Sequence, residues 1–443
     1  MHPFRVRDPI HGLIEMQPPE RAAMDAGCMQ RLRSISQLAM THLVYPGVRH
    51  SRFEHSLGVC HVARRLATEL ELGADDAEIV RAAALLHDVG HGPFSHVSEK
   101  VLDDRAGVGG VHEAISVAII RTDPQLRAAL GASLCDAAAE LIEDGAHGRR
   151  SVLTDIVSGP TDADKLDYLL RDSYYAGVAY GHYDLDRLID TATTIRPSDT
   201  ESYLGFDSEG VWAVEGLLLA RHHMHRQVYG HKTRIATDIM IERALAVGID
   251  DGVLPVAAYD VPVVRGQAQP DEDFIASYLT QTDGEVMSRL LAQEHDTASR
   301  ELAQLLQSRK LLRRNARVAL HERRSELGIK LGRLLDAERM RTIVPGLEAQ
   351  IAEELGCPPH LVALLVDQTA NPTYGLPGSE INAKDIMLSY GDSSMPDTFE
   401  RESEIFREEA GPEKSYASLY FPKRDDIPDG RAEELLWTAL TSI

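Results

Sequence analysis

The sequence lacks most of the features that would place it outside a reducing compartment or inside a membrane. Its four cysteines, Cys28, Cys60, Cys135 and Cys357, are scattered and form no C-x-x-C pair, which argues against a disulfide framework and fits a reduced, cytoplasmic protein. No apolar run reaches the ~18 residues that would mark a membrane-spanning helix, so no membrane role is expected. The opening MHPFRVRDPIHG has no hydrophobic signal core. Positive charge is in deficit: 46 Lys and Arg stand against 69 Asp and Glu, a formal charge of −23. That balance disfavours non-specific binding to nucleic acid or anionic lipid, although a local basic pocket can coexist with it. There is no internal repeat and no long low-complexity segment.

What is present is ordinary soluble-protein composition, 43% apolar and 26% charged over 443 residues, enough for two or three domains with a large core. FRVRDPIHGLIEMQ reads as a short hairpin turning at DPIHG. Three- and four-residue apolar spacing then predicts helices over RLATELEL, AEIVRAAALLHDV, HEAISVAIIR and LCDAAAELIED. TDADKLDYLLRDSYYAG reads as a helix capped by Thr161 or Asp162 and broken near Gly177. SYLGFDSEGVWAV reads as a brief hairpin leading into one long helix, EGLLLARHHMHRQVYGHKTRIATDIMIERALAVG. Residues 250–270 are loop-like. Helical patterns return in DEDFIASYLTQTDGEVMSRLLAQE and ASRELAQLLQSRKLLRR. The last hundred residues mix helix, loop and the strand-like SYASLYFPKR.

One stretch concentrates chemistry. LLHDVGHGPFSH, residues 85–96, places His87, Asp88, His91 and His96 directly after an apolar helix. His and Asp in one pocket suit a divalent transition metal. Adjacent residues on a helix point about 100° apart, yet both can reach one ion where the helix end opens. Two further donors must come from elsewhere, and the apparent ones are His55, in SRFEHSLGVCHVARRL, and Asp164. A lone HD dipeptide is a weak signal, because a single His on an apolar face is usually a hydrogen-bonded core residue. The ordered set is the stronger one.

That ordered set, H…HD…D, resembles the HD-domain phosphohydrolases. Within them the chain is most similar to the deoxynucleoside triphosphate (dNTP) triphosphohydrolases, the group that contains the SAM-and-HD-domain enzyme. The matching phrases run in order from residue 8 to 232: DPIHG, QRLRSISQL, YPGVRHSRFEHSLGV, LLHDVGHGPFSH, His112-Glu113, IVSGPTDADKLDYLLRD and HRQVYGHK. A fainter likeness continues through YLTQTDGEVMSRLL and QSRKLLRR to about residue 313. The resemblance implies a mainly α fold: an HD helical bundle over residues 1–250, with short β-hairpins. A helical extension over 251–330 would complete the family core, and a smaller mixed region over 331–443 has no readable role. The pattern begins within ten residues of Met1, so no SAM domain is expected ahead of it.

The resemblance also implies an activity. Water attacks the α-phosphorus of a dNTP, releasing deoxynucleoside and inorganic triphosphate. The metal ligands would be His55, His87, Asp88 and Asp164. The ion remains open among Mn, Fe, Co, Ni, Mg and Zn, with Mg accompanying the triphosphate. His91, His96, His112 and Glu113 would be catalytic, with His96 the general acid for the 5′-alkoxide and Glu113 orienting His112. The family has Asp where this chain has Glu99, one methylene longer, so that relay is expected to be shifted or rewired. Arg52, Lys165 and Arg221, with His231 and Lys232 near by, match phosphate-binding positions. Tyr168 and Tyr229 match residues that crowd the sugar, and Gln37, Leu38 and Asp172 match sugar contacts. AMTH at residues 39–42 and Gly230 depart from the family pattern, which bears on base preference.

Many relatives are oligomers activated by nucleotides. Asp25, Gln30 and Arg33, with Arg309 and Arg313, match that allosteric region, although an exposed charged helix face explains them equally well. A homo-oligomer, dimer or tetramer, is expected. Three other functions stay open: an HD phosphohydrolase acting on a monophosphate or signalling nucleotide, a catalytically silent nucleotide-binding regulator, and a nucleic-acid binder or nuclease. The charge counts against the last.

Overall fold

The computed structural model describes residues 4–198, 201–292, 297–323, 327–369, 386–389, 397–403, 405–406 and 414–443. The fold is mainly α with short strands, as the periodicity predicts. The chain opens on the expected hairpin, Phe4–Asp8 antiparallel to Gly12–Met16. Asp8 builds its turn: Oδ1 accepts from the backbone N–H of Ile10 at 2.8 Å and of His11 at 2.9 Å, the local bonding that suits Asp to turns.

Three helices carry the constellation. Arg52–Glu69 starts at a capping box, where the Ser51 side chain and Glu54 satisfy each other's backbone amides. Ala74–Leu86 is buried at Val80 and from Ala82 to Leu86, so it has no solvated side at its C-terminal end, and it delivers His87 and Asp88 from inside the core. Ala163–Ala176 is capped by Asp162, whose side chain accepts from the Lys165 amide at 2.8 Å, and stops at left-handed Gly177.

Two local expectations change. The long helix is two helices, Val211–Met224 and Lys232–Asp250, joined by a π-turn over His225–Tyr229 that ends at Gly230. The His231 side chain caps the second helix by accepting from the Thr233 amide at 3.2 Å. Nor is SYLGFDSEGVWAV a hairpin. Tyr203–Asp207 pairs instead with the preceding Ala192–Ile195, and Asp207 accepts from the Glu209 amide, turning the chain directly into the next helix. The final two residues of the helical pattern 271–294 lie outside the described residues; the rest forms Glu272–Tyr278 and Asp283–Leu291.

A second, smaller core gathers Val318, Leu320, Leu347, Ile351, Leu419, Phe421 and Leu436. Its sheet has Lys414–Phe421 between Arg313–Ala319 and Ala363–Thr369, all antiparallel, backed by helices Ala337–Leu355 and Arg431–Thr441. The SYASLYF stretch thus forms the central strand. A short strand, Met387–Ser389, runs parallel to Tyr203–Asp207 and ties the C-terminal region back to the main bundle.

Candidate active site

The structure brings His55, His87, Asp88 and Asp164 together. His55 Nε2 lies 2.9 Å from Asp164 Oδ1 and 3.5 Å from Asp88 Oδ2. His87 Nε2 lies 3.3 Å from Asp88 Oδ1 and 3.8 Å from Asp164 Oδ1. Ligand atoms of His55, His87 and Asp88 all fall within 4.8 Å of one another. The opposite ring nitrogens are committed: His55 Nδ1 donates to Asp167 Oδ2 at 2.8 Å, and His87 Nδ1 to the Ala84 carbonyl at 2.9 Å. Both Nε2 atoms are buried without a hydrogen-bond partner. Two imidazole Nε2 atoms facing two carboxylates form a site where a divalent cation can take the place of a proton. Burial alone would depress the His55 imidazole, but the Asp164 and Asp167 carboxylates hold it up to about 10. Asp88 is buried, which would raise it, yet Arg52, His87 and His91 keep it well below the usual carboxylate range.

A second cluster adjoins the first through Asp88, whose Oδ1 is also 3.3 Å from His91 Nε2. The His91 ring stacks on His112, centroids 4.2 Å apart, and meets His96 edge-on at 5.1 Å. Glu99 links these imidazoles: one oxygen is 2.8 Å from His96 Nδ1, the other 2.5 Å from His112 Nδ1. Glu113 Oε2 is 3.0 Å from the same His112 nitrogen, so Glu99 is the nearer carboxylate. Burial would lower His112, but Glu99 and Glu113 raise it to about 9. Burial, Arg52 and His112 together drive His91 well below its ordinary value. His96 is the exposed member, its side chain 66% accessible.

The basic and sugar-facing candidates are variously engaged. Arg52 pairs with Asp88, donates to Ser95 Oγ at 2.8 Å and places Nη2 3.4 Å from His96 Nε2. Lys165 Nζ is 2.6 Å from Asp162 and 3.1 Å from the Gly159 carbonyl. Arg221 is buried with Nε unpartnered. Tyr168 and Tyr229 meet edge-on at 6.3 Å. Both oxygens of Asp172 are taken, by His50 at 2.8 Å and the Tyr229 hydroxyl at 2.6 Å. Gln37 and Leu38 are buried, and Gln37 Oε1 has no partner. His231 packs near Tyr45, and Lys232 is exposed.

The remaining candidates lie nearer the surface. Asp25 ends the helix Pro18–Met24. Gln30 accepts from Arg33 Nε at 2.8 Å, and the Arg33 guanidinium lies 3.6 Å over the Phe53 ring. Arg309 donates to the Leu43 carbonyl at 2.9 Å, and Arg313 opens a strand.

Sequence reasoning missed the groups that hold the 90–95 loop. Phe94 and Ser95 both have positive φ, 62° and 54°, a conformation costly for side chains larger than glycine. Asp283 secures it, accepting from the Phe94 amide at 2.8 Å and from the Ser36 amide at 3.0 Å. Tyr278 donates to the Gly90 carbonyl at 2.7 Å, and buried Arg31 donates to the His91 carbonyl at 2.9 Å. Gly90 and Gly92 serve close packing, not the turn. A β-carbon on Gly90 would lie 2.4 Å from the backbone of His112 and Ser116, and one on Gly92 2.7 Å from the Tyr278 hydroxyl.

Over the first part of the chain, fold and site resemble those of an HD domain. Residues 52–169, which contain all four metal-capable donors, match the HD domain family, and residues 183–259 match the HD associated region. Two solved structures share the fold at 24% identity: a hypothetical protein from Aquifex aeolicus (TM-score 0.70, covering 99% of each chain) and a phosphohydrolase from Bacteroides thetaiotaomicron (TM-score 0.72, covering 95% of this chain and 100% of that one). An uncharacterized protein of Methanocaldococcus jannaschii is 36% identical over 288 residues, 64% of this chain and 57% of the relative. The deoxynucleoside triphosphate triphosphohydrolase SAMHD1 homolog of Dictyostelium discoideum is 33% identical over 254 residues (54% and 48%), and human SAMHD1 31% over 274 (54% and 44%). The match spans about half the length of these curated relatives. Among the described residues no helix is long and apolar enough to cross a membrane.

Proposed function

We propose that the protein hydrolyses dNTPs to deoxynucleoside and inorganic triphosphate, with a divalent cation at His55, His87, Asp88 and Asp164. The observation that carries this reading is the shared edge at Asp88. It puts a proton-handling cluster, His91, His96, Glu99 and His112, directly beside a cation-ready one. The named triphosphohydrolases among the relatives support the substrate class. The bound cation would acidify a water and withdraw charge from an α-phosphate oxygen.

The chain's own groups do the rest. His91, kept neutral by burial and Arg52, lines the edge between the clusters. His96, exposed and steadied by Glu99, gives its Nε2 proton to the departing 5′-oxygen as the water oxygen bonds to the α-phosphorus. Glu99 does at 2.8 Å what a shorter Asp would do from further back, and it couples His96 to His112. Arg221, Lys165, His231 and Lys232 supply cationic and donor groups for the triphosphate, and Tyr168 and Tyr229 wall the sugar with Gln37, Leu38 and Asp172. Asp25, Gln30, Arg33, Arg309 and Arg313 form the activator-binding region of an oligomer.

The test is product analysis with Mn²⁺ or Mg²⁺ and each dNTP, singly and mixed, beside a His87→Ala, Asp88→Ala variant. Triphosphate from the parent and none from the variant is expected. Turnover only in mixtures would establish activation. Orthophosphate or pyrophosphate would overturn the reading in favour of another HD phosphohydrolase reaction.

A further inference from the structure

The DPIHG turn contributes nothing to the two clusters above, yet it reaches the metal-capable one from behind. His11 Nε2 lies 2.6 Å from Asp167 Oδ1, with side chains 3% and 0% exposed. The other oxygen of Asp167 accepts from His55 Nδ1 at 2.8 Å. Arg171, the largest fully buried side chain of the described residues, grips both Asp167 oxygens at 2.8 Å and reaches Asp8 Oδ2 at 2.8 Å. Asp8 Oδ1 in turn fixes the backbone of Ile10 and His11. The result is a closed ring, Asp8 to His11 to Asp167 to Arg171 and back, that opens onto His55. Gly58 makes room for it: a β-carbon there would lie 1.9 Å from Asp167 Oδ1 and 2.4 Å from Arg171 Nη2.

We infer that Asp8, His11, Asp167 and Arg171 form an outer layer of the metal site that fixes the tautomer and ring orientation of His55, with His11 as a positioning residue. This rests on reading the cluster as a cation site. A carboxylate on Nδ1 keeps the proton there, leaves Nε2 as the lone pair facing the cluster and makes it a better donor to a cation. Asp167 has about four acceptor directions, and His11, His55 and two Arg171 nitrogens take all of them. Removing His11 frees one buried oxygen, and the carboxylate can then turn toward Arg171 and away from the imidazole. The motif is thus explained although it lies more than forty residues before the ligand it serves.

The test measures the dissociation constant for Mn²⁺ by electron paramagnetic resonance of the free ion, on full-length parent, His11→Ala, His11→Gln and Asp167→Asn. The melting midpoint of each chelated protein is measured alongside. His11→Ala and Asp167→Asn are expected to bind Mn²⁺ about 10–100-fold more weakly. His11→Gln, which keeps a donor near the Nε2 position, is expected to return close to the parent value. A His11→Ala protein that melts lower but binds Mn²⁺ like the parent would overturn the inference, leaving a purely structural clamp. A parent that takes up no Mn²⁺ would overturn the cation site itself, a different and distinguishable failure.

Discussion

At the scale of single residues, the balance between Glu99 and His112 sets a pH dependence. Burial would raise Glu99, but His112 and His96 hold it below its ordinary 4.5, so its contribution to stability is present above that value and fades as pH falls. His112 is held up to about 9 against an ordinary 6.5, so its contribution is complete below 6.5 and fades as pH rises through 9. The stability difference between the parent and Glu99→Gln is therefore expected to be greatest between the two ordinary values, 4.5 and 6.5, and to shrink above 9, read by denaturant unfolding across pH. A difference that grows toward alkaline pH would contradict the pairing. The convergence of His55, His87, Asp88 and Asp164 was legible in the ordered H…HD…D set, because chemistry restricts which side chains suit a cation. Their partners were not. Arg52 on Asp88 and His50 on Asp172 are set by three-dimensional packing, across 36 and 122 positions.

At the scale of elements, the strained 90–95 loop is the part the sequence concealed. In GHGPFSH the positive φ angles fall on Phe94 and Ser95 rather than on a glycine, and Gly90 and Gly92 serve close contacts. Nothing local to the loop announces Asp283, nearly 190 residues away. Asp283→Asn keeps one acceptor and turns an amide donor toward the second backbone N–H. It is expected to cost about 1–3 kcal/mol of stability and to lower turnover more than substrate affinity, since the loop contains His91 and leads into His96 at the start of the next helix. Chemical denaturation and steady-state kinetics check both, and an unchanged kcat in a destabilised variant would show that the loop does not position His96. The broken helix at 225–230 shows the same limit: apolar spacing runs through the π-turn, and only the Gly230-His231 pair hints at a stop and a new cap. The amphipathic helices and the first hairpin were readable because their spacing is local.

At the scale of the whole molecule, two cores meet along the helix Lys232–Asp250, which follows directly on its cap, His231. Arg243 on that helix donates to the carbonyls of Pro359, His360 and Val362 and pairs with Glu348 at 2.6 Å, which also accepts from the Leu364 amide at 2.8 Å. Arg243→Ala strips a partly buried carboxylate and three carbonyls of their donor, a loss of about 2–4 kcal/mol at the junction. Calorimetry is expected to show the C-terminal core melting ahead of the bundle; a single transition at the parent temperature would show the junction to be unimportant. This region was the least legible, because its strands pair across long separations: Lys414–Phe421 lies between partners some fifty and a hundred residues earlier.

In the proposed reaction, water attacks the α-phosphorus beside Asp88. The most direct measurement is turnover of a dNTP with Mn²⁺ in heavy-oxygen-labelled water, with mass analysis of both products. One labelled oxygen is expected in the inorganic triphosphate and none in the deoxynucleoside. Label in the deoxynucleoside, or release of orthophosphate or pyrophosphate, would contradict it.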